Sequence, residues 1–587
     1  MTNVSSPQLS TDVAIIGAGP AGLSLANLLG RYGVRATLLE ARDTLIDFPR
    51  GVGLDDESLR SMQAMKLTDA VLPHTTPQHV MRMVNGRGRV MVEIRPGTDE
   101  FGWSRRNGFL QPLVDRALYE GLARYEHIDV RFGHTVETLD DRGDHVMVTA
   151  NTDSGTTTLR ARFVVGADGG KSLTRHHIGT SFKGQSPSTR WLVVDCNDDP
   201  LGTPNVFLGA DPRRPYVSIG LPHAVRRFEF MLFDHEPDEL VEDEAFVNSL
   251  LAPHVTNPSG LNFIRKRVYT HHSRIAGNFR SGNIFLAGDA AHLMPVWQGQ
   301  GYNSGVRDAT NLAWKLASVV KGLSSDGMLD SYDQERHAHA KAMIDLSTSF
   351  GKMIKPTNRL VAGARDAASA VLNLFPSVKD YFAQMKYKPM PRYTRGVVVD
   401  ASDFTPGRSS AELNRDHTAF RSANTTVSPV GTQFIQPLVQ TPDGKQVLLD
   451  EVTGDWWSVL IWAGSTGQAF DRAALDTLRR MGAKVVCVLP MTQLGHEPDL
   501  GGSAGVDTAV IGDVTGKLKL WFDQRPTPVL FLRPDRFVAA ACLIEDASAT
   551  VAALAAAVHL TPASISPVLV QPVQSTNKTT KKEAVNA

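Results

Sequence analysis

Six residues near the N-terminus restrict this chain more than any other feature. Gly17-Ala18-Gly19-Pro20-Ala21-Gly22 reads G-x-G-x-x-G. It follows an apolar run, Asp12 to Ile16, that reads as a buried parallel strand, and it opens a helical segment, Gly22 to Tyr32, with Gly33 as the stop. Arg35 to Glu40 then reads as a second strand, which makes a βαβ unit. In that context the first glycine permits a tight turn, the second lets a pyrophosphate approach the backbone, and the third lets helix and strand pack closely. The helix N-terminus offers unpaired N–H groups and partial positive charge to the phosphates. Glu40 closes the second strand about 20 residues on, where an acid accepts from a ribose hydroxyl. Ala41 and Arg42 follow it. The pattern points to a dinucleotide and does not by itself separate FAD from NAD.

The remaining chain must hold more than this unit, because 587 residues exceed one compact core. Lys+Arg and Asp+Glu both total 61, so charge gives no ground for nucleic acid or an anionic membrane as a partner. Cys196, Cys487 and Cys542 form no C-x-x-C and no zinc spacing; reduced, buried thiols and no metal are expected. The apolar run Val13 to Leu29 is broken by Gly17, Gly19, Pro20 and Gly22, so it reads as neither signal sequence nor membrane span, and the protein is expected in the cytoplasm.

Strands are expected at Val146 to Ala150, Phe163 to Gly166 and Asn283 to Ala287, and helices at Leu113 to Tyr125, Arg307 to Lys321 and Ser331 to Ser349. Between about Thr180 and Thr270 the pattern turns to alternating strands, as for an antiparallel sheet inserted between nucleotide-binding segments. The expected division is 1–185, with an excursion near 75–110 into the sheet domain; 186–270 for that sheet; 271–395 for the second nucleotide-binding part with helices; a 396–426 linker; a small α/β domain at 427–560; and a flexible 561–587 tail.

Two further motifs narrow the cofactor. Gly166-Ala167-Asp168-Gly169 is followed by Ser172 and Arg175, and Gly282 to Pro295 reads G-N-I-F-L-A-G-D-A-A-H-L-M-P, with Gly288-Asp289 at its centre. With the N-terminal fingerprint, these three motifs in this order resemble the single-component flavoprotein aromatic hydroxylases, the family of para-hydroxybenzoate hydroxylase and phenol hydroxylase. The resemblance covers roughly Asp12 to Met343. It implies an α/β FAD-binding domain of Rossmann type with an inserted antiparallel substrate domain. Gln111 matches the position that hydrogen-bonds the ribityl chain, and Arg42 and Arg50 match positions near the adenine and the flavin. Asp168 and its neighbours would serve both FAD and the nicotinamide cofactor. Arg175, whose fork suits phosphate, is either a pyrophosphate ligand or a structural ion pair.

The residues agree with this reading. Asp289 ends a strand before a Gly-rich loop, where its carboxylate can accept from ribityl hydroxyls. In the segment Pro295 to Asn303, Gly299 and Gly301 let backbone N–H groups approach a ring, with Gln300 and Asn303 beside them. The segment leads toward the helix containing Arg307, whose N-terminal dipole would favour the negative charge of reduced flavin. His292 either braces this loop or exchanges protons, and Trp297 is either core or a wall of the substrate pocket.

Asp47 to Arg60, Val71 to Pro77, Asp99 to Trp103, Pro222 to Met231 and Arg533 to Ala540 extend the resemblance over nearly the whole chain, toward the branch that hydroxylates 3-(3-hydroxyphenyl)propanoate to 3-(2,3-dihydroxyphenyl)propanoate. It implies NADH as reductant (NADPH as the alternative), dioxygen as co-substrate, a flavin C4a-hydroperoxide, and 3-hydroxycinnamate as a second substrate. It further implies a thioredoxin-like C-terminal domain, here without C-x-x-C and so structural, with a homodimer as one outcome. Arg105, Arg106, Arg190 and Arg226 are the candidates for holding a substrate carboxylate. The rival readings are a hydroxylase of another phenol or polyketide, a flavin dehydrogenase or halogenase, and a non-catalytic flavoprotein. The W-x-W-x-I-P of flavin halogenases is not present.

Overall fold

In the computed structural model, the strand Leu9–Ile16 pairs in parallel with Ala36–Leu39 on one side and with Gly155–Gly166 on the other. The structure describes residues 9–186, 189–399, 428–464, 466–495, 505–525 and 527–562. Ile128–Arg131 and Ile284–Leu286 extend the parallel sheet at its two sides. Every residue of Ala36–Leu39 is buried, as expected for a parallel strand covered on both faces. The helix Pro20–Arg31 begins with Pro20 at its first position and packs against the long helix Gln300–Val320. Leu23, Leu25, Leu312, Trp314 and Leu316 are fully buried in this region, and each such side chain contributes about 1.5–3 kcal/mol.

The substrate-side sheet has seven strands in the order Phe263–Thr270, Arg190–Cys196, Val225–Leu232, Tyr216–Leu221, Val206–Ala210, Met81–Asn85 and Val90–Ile94. All pairings are antiparallel except that of Val206–Ala210 with Met81–Asn85. The hairpin at 81–94 therefore leaves the first nucleotide-binding part to join this sheet. All eight residues of Val225–Leu232 are buried. Its Phe228 and Phe230 pack with the helix Glu244–Leu251 on one face, while Trp191 and Met231 pack with Trp297 and Phe350 on the other. A sheet covered on both faces does not keep strict apolar–polar alternation.

The C-terminal α/β unit carries a seven-stranded sheet in which Asp507–Asp513, Lys484–Pro490 and Ser458–Trp462 are parallel neighbours, and Val529–Leu532 and Val538–Cys542 complete one side antiparallel. Its helix Arg472–Met481 is capped by Asp471, which accepts from Ala474 N, and stopped by Gly482 in the left-handed region. The unit is pinned to the nucleotide-binding part by Arg60 on Asp450 (2.7 Å) and by Arg31 on Asp455. The expected linker is described only to Val399, whose N–H donates to Ala539 O, and the expected tail only to Pro562; the rest of both lies outside the described residues. Cys196, Cys487 and Cys542 are free and buried. Among the described residues, no helix is long and apolar enough to cross a membrane.

One boundary differs in a way that matters for the site. The helix expected from Arg307 begins at Gln300. Gly301, Asn303 and Gly305 are poor helix formers and read as loop. Gly299, at φ +63°, turns the chain directly into the helix, and the Asn303 side chain donates to Gly299 O (2.7 Å) and Gly53 O (2.9 Å).

Candidate flavin and substrate site

The three fingerprint glycines have distinct surroundings. A Cβ on Gly17 would lie 2.5 Å from Ala167 O, and one on Gly22 would lie 2.0 Å from Gly17 O, so both positions are closed by packing. A Cβ on Gly19 would meet nothing within 4 Å. Gly19 is the N-cap of Pro20–Arg31 and supplies no side-chain cap, so the open space lies at a helix N-terminus with uncapped N–H groups. That is room a pyrophosphate requires. Ala21 packs on the far side, its Cβ facing Gly288 and Gly305. Glu40 is buried; its carboxylate accepts from Ala18 N (2.7 Å) and Arg42 N (3.0 Å), which fixes it at the end of its strand with lone pairs left for a ribose. Arg42 and Ala41 are exposed beside it.

Asp289 lies in the short turn Gly288–Ala290, directly after the strand Ile284–Leu286. Its carboxylate is partly exposed and stands 3.3 Å from the half-exposed Arg50 guanidinium. Gln111 opens the helix Gln111–Gly121 and accepts from Arg50 N (3.1 Å) and Gly51 N (2.5 Å), so it holds the backbone of that segment. Beneath the turn, Asp308 accepts from Gly288 N (2.9 Å), His292 Nε2 (2.7 Å) and Arg336 Nε (2.9 Å). Burial alone would raise the Asp308 carboxyl; His292 and Arg336 hold it at about 2. His292 is buried, and this geometry makes it a brace of the Asp289 turn.

The middle motif closes on itself. Asp168 accepts from Ser172 Oγ (2.5 Å), Thr174 N (2.9 Å) and Thr174 Oγ1 (3.0 Å). Arg175 is buried, donates to Gly170 O (2.7 Å) and Ala290 O (2.9 Å), and lies 3.9 Å above the Phe182 ring. Its donors thus tie the middle motif to the Asp289 turn through carbonyls.

The segment from Pro295 forms one short turn, Val296–Gln298, before Gly299. A Cβ on Gly301 would meet only Met294 Cγ, at 3.9 Å, so the first turn of the helix borders open space. Behind it lies a buried ionic cluster that sequence reasoning did not identify. Arg307 donates to Glu57 (2.8 Å), to Asp55 and to Gln300 Oε1 (3.3 Å), and Lys388 donates to Asp55 (3.0 Å) and Glu57 (2.9 Å). The signal was present: Asp55, Asp56 and Glu57 are consecutive acids and none exceeds 4% exposure, which requires cations nearby.

Trp297 is buried and meets two rings of the substrate sheet edge-on, Trp191 at 4.9 Å and His271 at 4.9 Å; Trp191 and His271 stack at 7°. It is packed core at the junction of loop and sheet. Next to it runs a hydrogen-bonded chain: Tyr269 Oη donates to Glu229 Oε2 (2.9 Å) and stands 2.9 Å from His271 Nε2. Burial lowers His271 to about 3, leaving a neutral ring. Burial also raises Glu229, with Arg227 opposing, and such a carboxylate is a better proton acceptor than an exposed one.

The four arginines considered for a substrate carboxylate differ sharply. Arg190 is bound to Asp238 (2.6 Å) and to Glu236 O (2.6 Å), and Arg226 to both oxygens of Asp199 (2.6 and 2.7 Å). Arg105 has Glu100 at 3.6 Å. Among the described residues Arg106 has no carboxylate partner.

The family described as FAD binding domain matches residues 10–347, and the HcaD C-terminal domain matches residues 431–557. The 3-(3-hydroxy-phenyl)propionate/3-hydroxycinnamic acid hydroxylase of Mycobacterium avium (strain 104) is 50% identical over 565 residues, which covers 94% of this chain and 93% of that one. The protein of the same name from Paraburkholderia xenovorans (strain LB400) is 45% identical over 578 residues, covering 94% and 92%. Among solved structures, the flavin-dependent monooxygenase PieE in complex with FAD and substrate superposes with a TM-score of 0.76 at 21% identity, covering 94% of this chain and 100% of that one. Aklavinone-11 hydroxylase, in a ternary complex with FAD and aklavinone, gives 0.73 at 22% identity with the same coverage. At these identities the structures speak for the fold alone.

Proposed function

The chain belongs to the FAD-binding hydroxylase family, and from that premise we propose that it converts 3-(3-hydroxyphenyl)propanoate to 3-(2,3-dihydroxyphenyl)propanoate, and 3-hydroxycinnamate to 2,3-dihydroxycinnamate. NADH and dioxygen are the co-substrates, and the setting is bacterial breakdown of phenylpropanoids ahead of ring cleavage. The observation that carries the reading is half-identity, over nearly the full length of both chains, to a hydroxylase named for these two acids. The FAD itself supplies hydride acceptance and dioxygen activation when bound. The chain's residues offer the pyrophosphate the open N-terminus at Gly19, the ribose the Glu40 carboxylate, and the ribityl chain Asp289 with Arg50 beside it. Asp289→Ala removes one charge-assisted acceptor, about 1.5–3 kcal/mol, and is expected to weaken FAD retention roughly 10- to 100-fold. Flavin content measured through a dilution series checks this; wild-type retention would take Asp289 out of the site.

The phenol must lose its proton as the ring is hydroxylated. Tyr269 already donates a hydrogen bond to Glu229, so as its oxygen accepts the proton of the substrate hydroxyl its own proton passes to the Glu229 carboxylate. The decisive assay follows NADH consumption, oxygen uptake and product mass together, with labelled dioxygen. NADH oxidation without labelled catechol from either acid would sink the reading. In the same assay, Tyr269→Phe is expected to lower turnover at neutral pH and to recover as pH rises toward the phenol's own pKa of about 10. Parallel pH profiles for the two proteins would remove Tyr269 from proton handling.

A further inference from the structure

Arg106 lies on the short strand Arg106–Phe109, opposite Asp55 of Gly53–Asp55. Its side chain shares a face with Gly108, since strand residues two apart point the same way. A Cβ on Gly108 would fall 2.9 Å from the His79 ring, so His79 stands on that face too. Burial and then the Arg106 charge lower His79 to about 3, which keeps the neighbouring imidazole neutral and offers Arg106 no anion. Among the described residues, the Arg106 guanidinium has one polar contact, the Met81 sulfur at 3.4 Å, and its Nε has no partner. Burial pulls its pKa below the ordinary arginine value, with only the Tyr387 hydroxyl opposing.

Arg106 is partly accessible, as are Val52, Leu110, Tyr269, Leu346 and Tyr387, which pack on the apolar cluster that contains its neighbour Met81. Tyr387 Oη is 3.4 Å from Gln298 Oε1, in the turn before Gly299, and Gln298 Nε2 is a buried donor without a partner. Tyr387 thus stands between the Arg106 cation and the Gln298 amide, both of which have donors left unpaired among the described residues. A buried cation without an anion is costly, and the cost is met when a ligand brings the anion.

We infer that Arg106 is the residue that binds the carboxylate of the substrate, with Gln298 Nε2 as a second donor, and that it thereby selects aromatic acids over neutral phenols. This rests on the proposed hydroxylase reading and names the group that recognises the acid end of its substrate. A guanidinium facing a carboxylate makes charge-assisted hydrogen bonds, and the propanoate chain would set the phenol ring at a fixed distance from that anchor.

The test compares kcat/KM for 3-(3-hydroxyphenyl)propanoate with that for its primary amide, in the FAD-loaded wild type, Arg106→Met and Arg106→Lys. Wild type should prefer the acid. Arg106→Met should lose roughly 10- to 100-fold on the acid, mainly through KM, and change little on the amide. Arg106→Lys, which keeps the charge without the fork, should retain the direction of preference at a lower level. Thermal melting of the ligand-free holoenzyme separates binding from scaffolding. Removing an unpaired buried cation should leave Tm unchanged or higher, whereas a structural arginine would lower it. An unchanged acid-to-amide ratio in Arg106→Met, equal losses on both substrates, or a lowered Tm overturns the inference. A wild type that hydroxylates neither compound overturns instead the reading on which it rests.

Discussion

Arg533→Met is expected to destabilise the protein by about 3–5 kcal/mol, the cost of leaving buried carboxylates without their cation. Arg533 donates to both oxygens of Glu335 (2.8 and 2.8 Å) and both of Asp535 (2.9 and 2.6 Å), with all three side chains at most 2% exposed. Lys315 adds a third arm to Glu335 at 2.7 Å. Lys315 sits on Gln300–Val320, Glu335 on Ser331–Ile354, and Arg533 and Asp535 in the C-terminal unit. The cluster therefore joins the helix whose first turn borders the candidate flavin space to a domain that carries no part of that site. Burial would raise the Glu335 carboxyl, but Arg533 and Lys315 hold it at about 2 against an ordinary 4.5. A carboxylate with a depressed folded value contributes stability that is complete above its ordinary value and lost as pH falls toward the folded one. Wild type should accordingly lose stability between about pH 4.5 and 2, and Arg533→Met should begin that loss at higher pH. Urea unfolding at pH 7 and near-ultraviolet dichroism through an acid titration measure both. Lys341→Met is the control: its pair with Asp345 is exposed on both sides and worth about 0–1 kcal/mol. If Arg533→Met unfolds no earlier than Lys341→Met, the cluster does not hold the domains together.

What could be read from the sequence was local. The strand, glycine turn and helix of the fingerprint lie within one stretch of chain, and Glu40 ends the adjacent strand, so spacing alone brings them together. Asp289 was legible for the same reason, as a carboxylate at a strand end before a turn. Arg175 was not: its partners are Gly170 O and Ala290 O, and backbone acceptors leave no trace in residue identity. The start of the long helix was hidden because Gly301 and Asn303 have low helix propensity; packing against Gly53 and the left-handed Gly299 outweighs it. Tyr269 and Glu229 come from two strands joined through Arg190–Cys196, and His271 follows the end of the first, so their meeting depends on sheet register. Arg106 was only one of four candidates until the structure occupied the other three with carboxylates.

Replacing Gly299 with Val should uncouple the enzyme. Gly299 sits at φ +63°, ψ 30°, where a residue with a Cβ pays about 1–2 kcal/mol and a β-branched one fits worst. Collision of the Cβ itself is not the cause, since its nearest neighbour would be Gly53 Cα at 3.6 Å. The γ-carbons of valine, however, must enter the gap between Gly53 and Gly299, and Asn303 bridges that same gap with donors to both carbonyls. Widening it moves the first turn of Gln300–Val320, whose N–H groups border the open space at Gly301. A shift of about 1 Å in an oriented reaction can cost on the order of 100-fold. Ring hydroxylation, the step argued to need this fixed geometry, is expected to suffer more than NADH oxidation, so the FAD-loaded variant should consume NADH while releasing more hydrogen peroxide per catechol formed. Gly299→Asn separates the two causes. Asparagine tolerates the left-handed region, so it should restore coupling if backbone strain dominates and fail to if filling of the gap does. NADH, peroxide and catechol measured in one reaction give the ratio directly. Wild-type coupling in FAD-replete Gly299→Val would mean that this turn does not position the flavin for oxygen transfer.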